Sequence, residues 1–486
     1  MNCTLIDWSI IVVYLGLSMA AGLYGKRYVS SAADFLVAGR GIGVYLGIST
    51  LAATEIGTVT FMYYAELGYK AGFSAFVNGL IAGGVMLLIG RTGFVIQRLR
   101  ELQLMTIPEF FERRYSRRLR VLTGVLVATG GILNMGVFLR IEGTFLAILS
   151  GIPVEYLKAV MTGILLLELL YTVLGGMVSV VITDFIQFVA LSLSALIVTG
   201  VCIYHAGWER MHDAVWSSMG PGGFSPLTSP QFGWAFILFQ LLFWLAINTC
   251  WQTTAMRTFS TRDAATGRRV FTWTGLIFLG RGMLPMIWGI AALTILGSGL
   301  NGLEAMPTLL SRILPSGLRG IVMAGMLAAT MSVNSSYLLG WSSVIAQDIV
   351  GPLRRSPLTP RGQVLLNRAA NLFVSLFVMF WGLWYTLPGP AYFYLNITAT
   401  IFLGGSFVAI VGGLYWKRAN VAGGYAAMLG GAAGSLAFFV LGWPASYAGM
   451  GAFLLAGLGL AAGSFLGRPA TRAMLEFRQE SVLAKE

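Results

Sequence analysis

About thirteen apolar runs, each long enough to cross a bilayer, follow one another along the chain. They fall roughly at 5–24, 42–65, 74–97, 119–149, 155–174, 177–205, 231–256, 270–297, 317–347, 364–386, 391–414, 421–441 and 446–466. The longest polar stretch between them is about 25 residues, too short for a soluble catalytic domain. Composition agrees: 57% of the residues are hydrophobic and 10% charged, with a mean hydropathy of +0.78. These features predict an all-α polytopic membrane protein of about thirteen transmembrane helices, with no enzymatic domain.

One run is unlike the others. Leu46 to Gly68 (LGISTLAATEIGTVTFMYYAELG) is apolar and long enough to span, yet Thr54, Glu55, Ile56, Gly57 and Thr58 sit at its middle. A carboxylate at the bilayer centre costs about 2.5–3.5 kcal/mol on insertion scales, so Glu55 is expected to face protein or water. Gly57 and its threonine neighbours are poor helix formers. The segment therefore reads as a helix that breaks and offers backbone groups to a ligand or ion, which lipid tolerates only where a cavity is lined. The plain alternative is an acid paired with a buried arginine for packing.

The net charge of +13 has an explanation other than nucleic acid. Met1 to Asp7 lacks a basic region, and Lys26 and Arg27 follow the first run, which sets the N-terminus outside. Most of the 32 Lys and Arg then fall on inner segments: Lys26, Arg27 and Arg40; a dense group from Arg98 to Arg120; Arg257, Arg262, Arg268 and Arg269; Arg354, Arg355, Arg361 and Arg368; Lys417 and Arg418; and Arg468, Arg472, Arg478 and Lys485. Outer segments hold Lys70, Lys158, Arg210, Arg312 and Arg319. This asymmetry predicts an N-out, C-in protein of a cell (inner or plasma) membrane, with the lipid bilayer as partner. Cys3, Cys202 and Cys250 form neither a disulfide framework nor a metal spacing. Residues 104–115 (LMTIPEFFERRY) carry a helix start at Thr106, Pro108 and Glu109, with Ile107, Phe110 and Phe111 opposed to Arg113 and Arg114. They read as a short helix on the inner membrane surface.

A second unusual run is Gly320 to Asp348, where Ser332, Asn334, Ser335 and Ser336 cluster. Hydroxyls and freed carbonyls are ligands for a hard cation; small residues also let helices pack closely. At this point the chain resembles the sodium:solute symporter family. The resemblance is carried by the Pro-Glu-Phe helix at 104–115, by VLGGMVSVVITDFIQFV (Val173 to Val189), by EAMPTLLSRILPSGLRGIVMAGMLAATMS (Glu304 to Ser332), and by GLYWKRANVAGGYAAMLGG (Gly413 to Gly431).

The resemblance implies a LeuT-like fold of two inverted five-helix repeats, 42–206 and 207–414. Residues 1–41 and 415–486 become peripheral, and 207–230 an outer loop. It also implies a break in the first helix of the second repeat, at Asn248 to Gln252. By motif, the family's sodium ligands fall on the carbonyls of Ala53, Ile56 and Ala329 and the hydroxyl of Ser332. The fifth position is Val333, which has no oxygen to offer. Asp184 matches the acid on the family's inner ion route. Thr54, Glu55, Thr58, Asn248, Trp251 and Gln252 are expected near the substrate. Arg281 is either a ligand for a substrate carboxylate or the partner of Glu55 or Glu168.

The expectation is cation-coupled symport, by sodium, of a small polar organic solute through alternating access, with no cofactor beyond a sodium ion. Because of Val333, proton-coupled or uncoupled transport is the alternative. A membrane sensor is a reading of another class, since related folds are fused to signalling kinases; the short basic tail ending at Glu486 carries none.

Overall fold

The computed structural model describes residues 3–28, 32–354, 356, 358–385 and 391–469. Arg355, Arg472, Arg478 and Lys485 lie outside these residues, as does the side chain of Glu168. Among the described residues the chain is helical throughout, with no strand beyond one isolated bridge between Ile42 and Thr261.

In chain order, α1 (Leu5–Gly25) and α2 (Ala32–Val37) precede a broken pair, α3 (Val44–Glu55) and α4 (Thr58–Ala71). Next come α5 (Phe76–Thr92), α6 (Ile96–Glu101), α7 (Ile107–Arg114), α8 (Arg117–Met135), α9 (Phe138–Ser150) and the long α10 (Leu157–Ala206). An outer helix, α11 (Trp208–Met219), leads to a second broken pair, α12 (Gly233–Cys250) and α13 (Gln252–Ser260). The rest are α14 (Ala264–Leu296), α15 (Gly302–Ile313), α16 (Leu318–Val344), α17 (Gly351–Leu353), α18 (Pro360–Trp384), α19 (Ala391–Tyr415), α20 (Val421–Leu441) and α21 (Ala445–Leu466).

The helices follow the apolar runs, and ten helical stretches among the described residues are long and apolar enough to cross a membrane. The fold is therefore all-helical and membrane-spanning; ten stretches meet the length and composition criterion where the sequence suggests about thirteen. The 119–149 run, read as one span, is interrupted between α8 and α9 at Gly136 and Val137. Within α10, Gly176 takes φ 54°, dividing the helix where the sequence places two runs. A Cβ there would lie 2.6 Å from the Phe35 ring and 2.7 Å from its carbonyl, so the kink and the close approach both require glycine.

The short helix α7 also differs from its expected setting. Ile107, Phe110 and Phe111 are fully buried within the protein instead of facing lipid. Arg114 donates to the Gly413 and Ala419 carbonyls (2.9 Å each), and the Tyr115 hydroxyl to Ala409 (2.6 Å), pinning α7 under α19. Thr106 stands before the helix in extended backbone, but its hydroxyl donates to Asp348 (2.9 Å) and caps nothing. The Ile107 amide is instead taken by Gln252 Oε1 at 2.9 Å.

Candidate functional site

The site is built around the two breaks. After Glu55, Ile56 (φ −127°, ψ 95°) and Gly57 (φ −99°, ψ −177°) run extended, and α4 starts at Thr58. In the second pair, Trp251 (φ −67°, ψ 124°) separates α12 from α13. The last carbonyls of α3 have no intrahelical partners. Arg281, from the middle of α14, supplies them: its guanidinium donates to Ala52 and, at 2.7 Å, to Ile56. A cation at the negative end of a helix is electrostatically favoured as well. So Arg281 pairs with neither Glu55 nor any other acid among the described residues, nor does it reach the cavity described below.

Two threonines of the broken segment tie it to α16. The Thr54 hydroxyl meets Ser336 Oγ at 3.2 Å, and Thr58 donates to the Met326 carbonyl at 2.5 Å; both side chains are buried. Gly57 packs so tightly on α16 that a Cβ would stand 2.5 Å from Val333 Cγ2 and 3.2 Å from the Ala329 carbonyl. Thr54 and Thr58 therefore hold the break in place and do not line the cavity.

Glu55 does. Its carboxylate accepts from Thr254 and is partly open to a cavity between α4, α12, α16 and α19. Tyr63, Phe138, Phe243, Trp244, Trp251, Tyr337 and Tyr392 contribute aromatic walls, while Thr60, Asn134 and Asn396 add polar groups. No lysine or arginine lines it among the described residues, and Glu55 makes no ion pair among them. Trp251 is held by Phe402 (stacked, 5.4 Å between centroids), Trp341 (edge-on, 5.1 Å) and Tyr337 (5.6 Å). Such pairs contribute about 0.5–1.5 kcal/mol each beyond their burial.

Of the other expected substrate ligands, Asn248 donates to the Trp244 carbonyl (2.9 Å) within its own helix. Gln252 is spent on α7 and on Ser343 (3.4 Å). Neither lines the cavity. The residues the sequence did not single out are mostly aromatic; a lone amide such as Asn396 within the apolar run 391–414 was a usable signal, whereas Tyr and Phe in apolar runs are not.

The ion positions gather on one acid. Asp184, deep in α10 and fully buried, accepts from Thr50, from Ser332 (2.5 Å) and from Arg257 (3.3 Å). Arg257 is the unexpected member. Its place after the seventh apolar run put it with the inner-loop cations, yet it is buried on α13 and also donates to Ser336. The sequence-matched ligand set does not fit a sodium ion. Val333 has no oxygen, one of the two lone pairs of the Ile56 carbonyl is taken by Arg281, and Arg257 puts a permanent positive charge on the same acid and serine cluster. Ser332 retains lone pairs, and the Ala329 carbonyl faces the break. But Arg257 already supplies the counter-charge of Asp184, so a further cation there gains no net charge from the pair.

Comparison with known proteins matches residues 35–431 to the sodium:solute symporter family. The chain is 24% identical over 458 residues to a sodium/glucose cotransporter of Vibrio parahaemolyticus, covering 86% of this chain and 82% of that protein. It is 26% identical over 450 residues to a sodium/proline symporter of Staphylococcus aureus, covering 87% and 83%. Among solved structures, a Na+-coupled sialic acid symporter, substrate-bound and outward-open, superposes with a TM-score of 0.83 at 19% identity, covering 96% of this chain and 99% of that one. That likeness carries the LeuT-like fold. The family match covers most of the sequence, and with it comes the conclusion that this chain is a multi-pass membrane transporter of the cation-coupled solute type, not an enzyme, and belongs to the sodium:solute symporter family.

Proposed function

We propose that this transporter moves a small polar solute bearing a positively charged amine or ammonium group, held in the cavity between the two broken helices. One observation carries the reading: among the described residues the cavity presents a single carboxylate, Glu55, with seven aromatic rings and no lysine or arginine. A carboxylate supplies the counter-charge for an organic cation, and ring faces attract it further, by about 0.5–2 kcal/mol each. The substrates that these relatives are named for, glucose, proline and sialic acid, differ too widely to transfer. Alternating access then works between residues 42–206 and 207–414 as two repeats. The first expected span of each is a broken helix, α3/α4 and α12/α13. Residues 1–41 and 415–486 are peripheral to them. The N-out, C-in orientation rests on the distribution of Lys and Arg.

The test is thermal unfolding of the purified protein against a panel of small amines, quaternary ammonium compounds, sugars and carboxylates. Cationic solutes should raise the melting temperature by mass action, and Glu55→Gln should abolish the rise. A sugar or a carboxylate that stabilises wild type and Glu55→Gln equally would overturn the reading. The second reading, with Glu55 as carrier of a coupling proton, is favoured by its hydroxyl partner and its lack of an ion pair. It expects Glu55→Gln to keep binding and counterflow exchange while losing pH-driven accumulation.

A further inference from the structure

The ion position matched by motif falls where α3, α10 and α16 meet, and three observations bear on it. The fifth oxygen is replaced by Val333. The Ile56 carbonyl already accepts from Arg281 at 2.7 Å. The acid that gathers Thr50 and Ser332 already has a cation of its own, Arg257, which also reaches Ser336 one helical turn beyond Ser332. We infer that Arg257 is the resident cation between α3, α10 and α16, built into the chain in place of a sodium ion.

The chemistry follows from what arginine is. Its guanidinium stays charged at any physiological pH. It cannot dissociate into either compartment, as a coupling ion must in each cycle. The attraction between α13 and Asp184 is therefore made and broken only by movement of α13, and this position takes nothing from a sodium gradient. Burial makes the pair sensitive to loss of one partner, since the remaining charge is left uncompensated. Remove the guanidinium, and what remains is a carboxylate with the hydroxyls of Thr50, Ser332 and Ser336. That oxygen set suits a small cation from solution. The inference is independent of which solute fills the cavity.

The experiment compares wild type, Arg257→Ala, Arg257→Lys and Asp184→Asn as purified full-length protein. Melting temperature is measured in NaCl, KCl and choline chloride at equal ionic strength, and with added millimolar guanidinium chloride. Wild type should show no rise specific to sodium. Arg257→Ala should melt lower and recover by about 2 °C or more in NaCl or guanidinium, and not in choline chloride. Arg257→Lys, which keeps a charge there, should stay insensitive to sodium. A sodium-specific rise in wild type that Asp184→Asn removes would overturn the inference. So would an Arg257→Ala protein that folds and answers neither cation. Should Arg257→Ala not fold, wild type and Arg257→Lys decide: insensitivity in both upholds the inference, and a sodium-specific rise in wild type lost in Asp184→Asn refutes it.

Discussion

Arg281 holds open the break that shapes the cavity. Its Nη1 and Nη2 donate to the Ala52 and Ile56 carbonyls, and its guanidinium carbon lies 6.0 Å from the centre of the Phe61 ring. Hydrogen bonds to charged groups contribute about 1.5–3 kcal/mol each. Arg281→Met should therefore lower unfolding stability by about 3 kcal/mol or more. Arg281→Lys should recover part of that, because an ammonium cannot span two carbonyls with a fixed fork. Chemical or thermal unfolding checks this; unchanged stability with lost solute binding would instead make Arg281 a substrate ligand. The sequence shows a lone base deep in an apolar run and invites the search for an acid. The partners here are backbone carbonyls, which every residue possesses and no pattern of side chains reveals. Glu55 was legible for the opposite reason. An acid at mid-bilayer has few places to go, and a cavity is one of them.

The broken helix α3/α4 shows how elements combine to fix a site. Thr54, Gly57 and Thr58 each touch α16, through Ser336, Val333 and Met326 respectively. Gly57→Ala should be destabilising by about 1–3 kcal/mol, the usual cost of overpacking, because the added methyl would meet Val333 Cγ2 at 2.5 Å. Adding Val333→Ala should return part of that loss, and a double-mutant cycle of unfolding free energies measures the coupling. If the two changes simply add, the contact does not set the fit of α3/α4 on α16. This break could be read from Thr-Glu-Ile-Gly-Thr, where acid, glycine and β-branched residues coincide. The bend between α8 and α9 could not, since Met135, Gly136 and Val137 look like any apolar stretch. Nor could the docking of α7, whose Ile107, Phe110 and Phe111 would cover lipid or protein equally well.

At the scale of the whole molecule, the apolar runs made the helical fold legible and the family motifs made its arrangement legible. Arg257 escaped both, because counting cations after an apolar run does not reveal that α13 carries this one back into the protein. The other inner cations still support an N-out, C-in chain, and that orientation has a direct consequence for three exposed positions. Arg117 precedes α8, Ser218 lies near the end of α11, and Ser356 follows α17. Between Arg117 and Ser218 the expected spans are 119–149, 155–174 and 177–205. Between Ser218 and Ser356 they are 231–256, 270–297 and 317–347. Three crossings in each interval put Ser218 on the side opposite to both others. In a variant with Cys3, Cys202 and Cys250 replaced, a single cysteine at Ser218 should react with an impermeant maleimide on intact cells. Cysteines at Arg117 or Ser356 should react only after the membrane is opened. An even number of crossings in either interval would put the two flanking positions on the same side, and labelling of Arg117 or Ser356 on intact cells would reveal it.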